Sequence, residues 1–234
     1  MLKTVAAFFC LFACAFVSAN DSDMPKPCNS DRQYEAGVQI VNNEGKVSGR
    51  SGLIEGKMSY DADNERVATV GYNYHRGLHI RLLQIFGSNL AYVIFLSNNT
   101  CKASEMVFPL APSGVPSTAM FVNSYLLGSM SHGFRVNQWL YTYKSLNKSD
   151  GDLEMKTWNG HYTDEGCIPI RYEIFKGNLA VPPSEREETL ELFSIYFSNY
   201  KAGIADHSVF DVPANCPQES SDFLSKEEVM ELFS

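Results

Sequence analysis

The sequence predicts an all-β domain of antiparallel strands, closed as a sandwich or barrel, on three observations. Short runs of aromatic and β-branched residues alternate with polar ones at the two-residue period of a strand. Clusters of Gly, Asn, Asp and Ser punctuate those runs. Helix-forming patterns occur only as two short capped pieces, so the strand–helix alternation that builds a parallel sheet is missing.

In chain order, residues 1–19 read as a secretory signal peptide. Lys3 precedes an apolar run over 5–16, and Val17-Ser18-Ala19 places small residues at −3 and −1, with cleavage expected before Asn20. The run is shorter than the roughly 20 residues needed to span a bilayer. Residues 20–218 then form one domain. The cluster Asp61-Ala62-Asp63-Asn64 marks a turn. Residues 81–86 and 91–96 make a hairpin across Gly87-Ser88-Asn89-Leu90. Over 136–143 the strand period puts Trp139, Tyr141 and Tyr143 on one face. Turn residues over 147–152 lead into an aromatic strand at 157–163. Ile168, Ile170, Tyr172 and Ile174 alternate, and Lys176-Gly177-Asn178 forms the next turn. Ser184-Glu185-Arg186-Glu187 has the form of a capping box. Phe193, Ile195 and Phe197 then alternate with Ser194, Tyr196 and Ser198. A second box, Ser225-Lys226-Glu227-Glu228, opens a short amphipathic helix in an acidic tail, 219–234.

Loss of the leader removes Lys3, Cys10 and Cys14. Eighteen basic residues then face 27 acidic ones, a net charge of −9 with His neutral. That balance and the lack of a basic stripe argue against a nucleic-acid partner. Four cysteines remain: Cys28, Cys101, Cys167 and Cys216. In an exported chain without a C-x-x-C pair they read as disulfides, and sequence leaves three pairings open. Asn98 and Asn147 open interior glycosylation sequons, and Asn20 opens a third at the new N-terminus.

Catalytic patterns are missing. There is no G-x-S-x-G, H-E-x-x-H, P-loop or Rossmann glycine fingerprint. His75 and His79 are four apart, but Gly77 between them favours turn roles over a metal pair. Asp61-x-Asp63-Asn64-Glu65 begins like a calcium loop, yet Arg66 stands where glycine belongs and Tyr72 where a bidentate glutamate belongs. A solvated hairpin turn is the better reading. No metal ligands are assigned. Calcium is an open cofactor, because an acidic surface attracts cations; Asp150 and Asp152, or Glu185, Glu187 and Glu188, are candidate contributors.

The stretch Trp158-x-Gly160-x-Tyr162-Thr163-x-x-x-Cys167-x-Pro169 resembles the signature region of the ependymin-related proteins. Gly203-Ile204-x-Asp206-x-Ser208-Val209-Phe210-x-x-Pro213-x-x-Cys216 is similar to their C-terminal pattern. Ser59-Tyr60-Asp61 with Arg66-Val67 is similar to one of their hairpins, and Cys28 falls at their first cysteine. The resemblance implies two stacked antiparallel sheets curved around a deep apolar pocket, as in bacterial lipoprotein carriers, with short peripheral helices. It implies the pairing Cys28–Cys167 and Cys101–Cys216, without the third pair of many vertebrate members. It also implies a homodimer, calcium association as described for fish ependymins, and secretion, with the lysosomal lumen as a second destination. Trp139, Tyr141, Tyr143, Trp158, Tyr162, Phe193 and Phe197 are the candidate pocket aromatics. The expected function is a non-enzymatic secreted glycoprotein binding lipid or another hydrophobic ligand. The alternative is an acidic, calcium-associated extracellular or mineralised-matrix adhesion component, and a hydrolase without a recognisable motif stands third.

Overall fold

The computed structural model describes residues 24–42, 52–106, 111–146, 153–176, 190–217 and 223–224. Eleven strands account for most of them. The first six are β1 (Gln33–Asn42), β2 (Gly52–Asp61), β3 (Arg66–Asn73), β4 (Leu78–Ile85), β5 (Leu90–Phe95) and β6 (Thr100–Glu105). The other five are β7 (Met120–Leu127), β8 (Phe134–Leu146), β9 (Leu153–Thr163), β10 (Pro169–Lys176) and β11 (Leu190–Ala202). Short 3-10 turns sit at Phe86–Ser88 and His207–Phe210.

All strand pairs are antiparallel and belong to one sheet, ordered β6-β5-β4-β3-β2-β1-β11-β10-β9-β8-β7. Two meanders, β1–β6 and β7–β11, are thus joined along β1 and β11. The expected all-β architecture is present, as one continuous hydrogen-bonded sheet instead of two separate ones. Local chemistry explains the hairpins. Asn89 and Asn99 take the left-handed region at the β4–β5 and β5–β6 turns, with φ of 58° and 53°, which Asn tolerates better than most residues. The β2–β3 hairpin is closed by Asp61, discussed below.

The continuous sheet curls, so side chains from both meanders meet on its inner face. One core cluster joins Ile54, Ile80 and Val93 of the first meander to Trp139, Trp158, Tyr172 and Phe193 of the second. Two glycines, Gly56 and Gly71, lie directly opposite each other on β2 and β3. A Cβ at Gly56 would lie 2.2 Å from the Val70 carbonyl oxygen, and one at Gly71 would lie 2.5 Å from that of Glu55. Only glycine permits this backbone approach inside a strand.

On the outer face of β3–β6, the segment after β11 forms a cover. Phe210 and Cys216 join Ala68, Leu83, Tyr92, Ile94 and Ala103 in a second cluster. Arg81 donates to the carbonyls of Ser208, Val209 and Asp211 and so clamps the cover down. Both disulfides tie distant parts of the chain, Cys28 to Cys167 and Cys101 to Cys216, across 139 and 115 residues. Closing loops of that length contributes roughly 4–5 kcal/mol each in the chain-entropy model.

One sequence expectation changes. The register shifts between Pro169 and Arg171, which takes Ile170 out of the alternation with Tyr172 and Ile174, because a bulge adds one residue to one strand only. The helices expected at 184–187 and 225–233 lie outside the described residues.

The Gly56–Gly71 crossing gives a direct test. Gly56→Ala is expected to lower unfolding free energy by about 2–4 kcal/mol, measured by urea denaturation. Gly87→Ala is expected to change it little, since a Cβ there meets only the Glu65 side chain at 3.5 Å.

Candidate functional site

The inner face of the curled sheet leaves a cavity of about 110 Å³. Strand parity decides what lines it. On β11 the alternating set Phe193, Ile195 and Phe197 faces in, while Ser194 and Tyr196 face out. Adjacent strands add Trp158 from β9 and Tyr172 and Ile174 from β10. The opposite wall comes from β1–β5, through Tyr34, Ile40, Met58, Tyr60, Val67 and Leu82, with Gln84 and Phe86 among the less buried members. Among the described residues that line it, none is charged.

Aromatic contacts fix the wall. Tyr34 stacks on Tyr60 with ring centroids 4.8 Å apart, and Tyr172 meets Phe197 edge-on at 4.8 Å. Trp158 meets Tyr172 edge-on at 5.8 Å. Tyr162 donates to the Gly114 carbonyl at 2.9 Å and Tyr60 to that of Ala111 at 2.7 Å. Burial pushes the Tyr34 and Tyr172 hydroxyls well above their ordinary range, so both stay neutral at physiological pH. This arrangement can hold an uncharged apolar body by dispersion and desolvation.

The sheet's other face carries a polar network over β7–β11. The Tyr125 hydroxyl lies 2.9 Å from His161 Nδ1, and His161 Nε2 lies 3.7 Å from Glu173. Asn159 donates to Glu173 at 2.5 Å, and Gln138 donates to Asn159 at 2.9 Å. Arg171 pairs with Glu173 and sits over the Tyr196 ring. Burial acts to raise the Glu173 carboxyl, but its His161, Arg171 and Asn159 partners outweigh it and leave the group below the usual range. His161 and Glu173 do not line the cavity, and the network ties strands together across the sheet.

Of the aromatics singled out by sequence, Trp158, Phe193 and Phe197 line the cavity. Trp139, Tyr141 and Tyr162 instead pack in the adjoining core, where Trp139 meets Phe121 and Tyr162 is fully enclosed. The Tyr143 side chain lies outside the described residues, as do Asn147, Asp150, Asp152, Glu185, Glu187 and Glu188. Asn98 is exposed on the β5–β6 turn, its Oδ1 accepting from the backbone amide and hydroxyl of Thr100. His75 is exposed on a turn, while His79 lies in β4 against Tyr72. Among the described residues no three His, Cys, Asp or Glu side chains group as metal ligands. No helix among the described residues is long and apolar enough to cross a membrane.

Sequence reasoning missed Tyr34, Tyr60 and Leu82 as wall residues. Tyr60 stood in the Ser-Tyr-Asp hairpin and Leu82 in an apolar strand run, but neither run reveals which face turns inward.

At the β2–β3 turn, Asp61 is buried. It accepts from Gln33, from the amide and side chain of Asn64, and from Arg66 at 2.8 Å; Asp63 pairs with Arg32. Burial acts to raise the Asp61 carboxyl, but these donors outweigh it and hold it below its ordinary value. A depressed folded pKa contributes stability above the unfolded value, near pH 4, that is lost as pH falls through the folded one. Asp61→Asn is therefore expected to cost about 1–3 kcal/mol at pH 7, with the gap from the parent protein shrinking below about pH 4. Urea midpoints at pH 7, 5 and 3 measure it.

A family model described as Ependymin matches residues 75–216, more than half of the chain. The span runs from the β3–β4 turn through Cys216. No curated protein sequence matches the chain.

Proposed function

The chain belongs to the ependymin family, an extracellular family not known for enzymes, and from that premise we propose a secreted, non-enzymatic glycoprotein that carries a hydrophobic ligand, a lipid chain above all, in the cavity of its curled sheet. The observation that carries this reading is the charge-free wall shared by both meanders. Sequestration needs no catalytic group. Burying about 12 methylenes at roughly 0.8 kcal/mol each contributes near 10 kcal/mol gross. Association then costs several kcal/mol, which leaves an affinity in the micromolar range. Glycans at Asn98 and Asn147 belong to the same secreted reading.

The matrix alternative draws on net acidity, with calcium as its cofactor. At the turn most like a calcium loop, however, Asp61 and Asp63 are already paired with Arg66 and Arg32. That turn favours the carrier.

The partner in solution is a second copy. Among the described residues strand β7 is an open edge, and Met120, Leu126 and Leu127 on it, with Phe134 beside it, are between 41% and 60% exposed. The other edge, β6, is protected by a bridge from Leu224 to Ser104 and by the Cys101–Cys216 disulfide. An unpaired apolar edge strand is a template for pairing with another chain.

Two measurements test these proposals. Protein secreted by its native cell type, extracted with organic solvent and analysed by mass spectrometry, is expected to yield lipid at near one per chain. Ile195→Trp, which fills the wall, should reduce that yield several-fold; an empty parent protein contradicts the carrier. In sedimentation, the parent is expected to run as a dimer and Leu127→Lys as a monomer at the same concentration, whereas a monomeric parent would refute the pairing.

A further inference from the structure

The outer face of the sheet, where β1 and β11 join, carries a groove of its own, and strand pairing lays it out. Tyr196 of β11 is directly opposite Gln39 of β1, and Gln39 is directly opposite Glu55 of β2. The three side chains therefore share a face and stand in one row at the strand spacing of about 4.8 Å. Two residues along, Gly37 is opposite Ser198. The register then shifts between Glu35 and Gly37, and Asn199 of β11 takes the left-handed region with φ of 49°. A bulge of this kind re-aims a side chain. Ser198 and Asn199 come together over Gly37, where a Cβ would lie 2.6 Å from Ser198 Oγ and 3.8 Å from Asn199 Nδ2. The missing Cβ leaves a pit. With the neighbouring row it makes a groove of about 420 Å³, within the range of small-ligand sites, about 300–1,000 Å³.

The groove's chemistry suits a polyol. Tyr196 is 38% exposed and supplies an aromatic platform, steadied by the Arg171 guanidinium 4.9 Å from the ring centroid; the negative face of such a ring attracts the polarised C–H bonds of a sugar. Gln39 and Asn199 each offer an amide donor and a carbonyl acceptor, and Ser198 offers a hydroxyl. Among the described residues, none of these three side chains is hydrogen-bonded to another protein group. Glu55 is the only charged residue among those described that line the groove, and the Tyr74 hydroxyl steadies it from 3.1 Å. The nearby cations are already paired, Lys57 with Glu35 at 2.8 Å and Arg171 with Glu173. A sulfated or carboxylated sugar thus meets a carboxylate and no free cation, whereas a neutral sugar donates its hydroxyls to Glu55. We propose that this groove binds a neutral saccharide chain, one ring stacked on Tyr196 and its hydroxyls held by Gln39, Asn199 and Glu55. The site lies on the opposite face of β1 and β11 from the cavity, and it stands or falls apart from the carrier reading.

Chitotetraose and cellotetraose, both neutral, and a sulfated heparin tetrasaccharide test this on the isotope-labelled secreted full chain by NMR. At least one neutral sugar is expected to shift the Gln39 and Asn199 side-chain amide signals and the Gly37 amide saturably below about 10 mM. The sulfated sugar is expected to bind at least about tenfold more weakly. Tyr196→Ala and Gln39→Ala, both at exposed positions, should each weaken binding several-fold in a protein whose remaining amide spectrum is unchanged. Shifts confined to other residues, a sulfated sugar that binds as tightly as the neutral ones, or a folded Tyr196→Ala protein of unchanged affinity overturns the proposal. Binding of neither neutral sugar overturns it too, while lipid recovered from the same preparation would leave the carrier standing.

Discussion

The pairing of β1 with β11 is the contact on which the two meanders depend. It runs from Tyr34 opposite Ala202 to Asn42 opposite Phe193, and it joins the first strand of the sheet's one half to the last strand of the other. The remaining strand pairs are formed between neighbours in the chain. Only this one has a large loop-closure cost, and the disulfides reduce that cost from either side of it. Cys28 lies just before β1 and holds Cys167 just before β10, while Cys101 on β6 holds Cys216 after β11. With the seam made, Tyr34 of β1 and Phe197 of β11 belong to one wall, and the cavity exists.

The sheet's surfaces are finished differently. Over β3–β6 the outer face is apolar and is closed by Phe210 and its neighbours, held by Arg81. Over β8–β10 the outer face is polar and is cross-linked through Gln138, Asn159, Glu173 and Arg171. The two edges differ in the same way, since β6 is covered and β7 is open and apolar. A monomer with such an edge is prone to pairing, and a symmetric partner is the simplest way to satisfy it.

Much of this was legible in the residues. The Phe193, Ile195, Phe197 alternation gives one cavity wall directly, because the period of a strand is two and both adjacent polar sets face out. The Asp61–Asn64 turn was legible from turn chemistry alone. The Trp139, Tyr141 and Tyr162 assignments show the limit: their strands were recognised, but a common face contains both core and cavity, and the division depends on how far the sheet curls. That curl is a relation between strands, which single-strand periodicity does not contain, and so is the pairing of Gly56 with Gly71. The register shift at Ile170 was hidden for a similar reason, since a bulge is defined by the partner strand. The cysteine pairing came from resemblance to a family, as four cysteines alone allow three pairings.

The central claim is that a ligand sits between the meanders, against residues that only the curled sheet brings together. Methyl NOE spectroscopy on protein labelled at Ile and Leu, with an unlabelled long-chain alcohol bound, tests it most directly. The account predicts contacts from the ligand chain to Leu82 on one wall and to both Ile174 and Ile195 on the other, residues that all line the cavity. Contacts confined to methyls of the open β7 edge, such as Leu126 and Leu127, would place the ligand on the surface and contradict it.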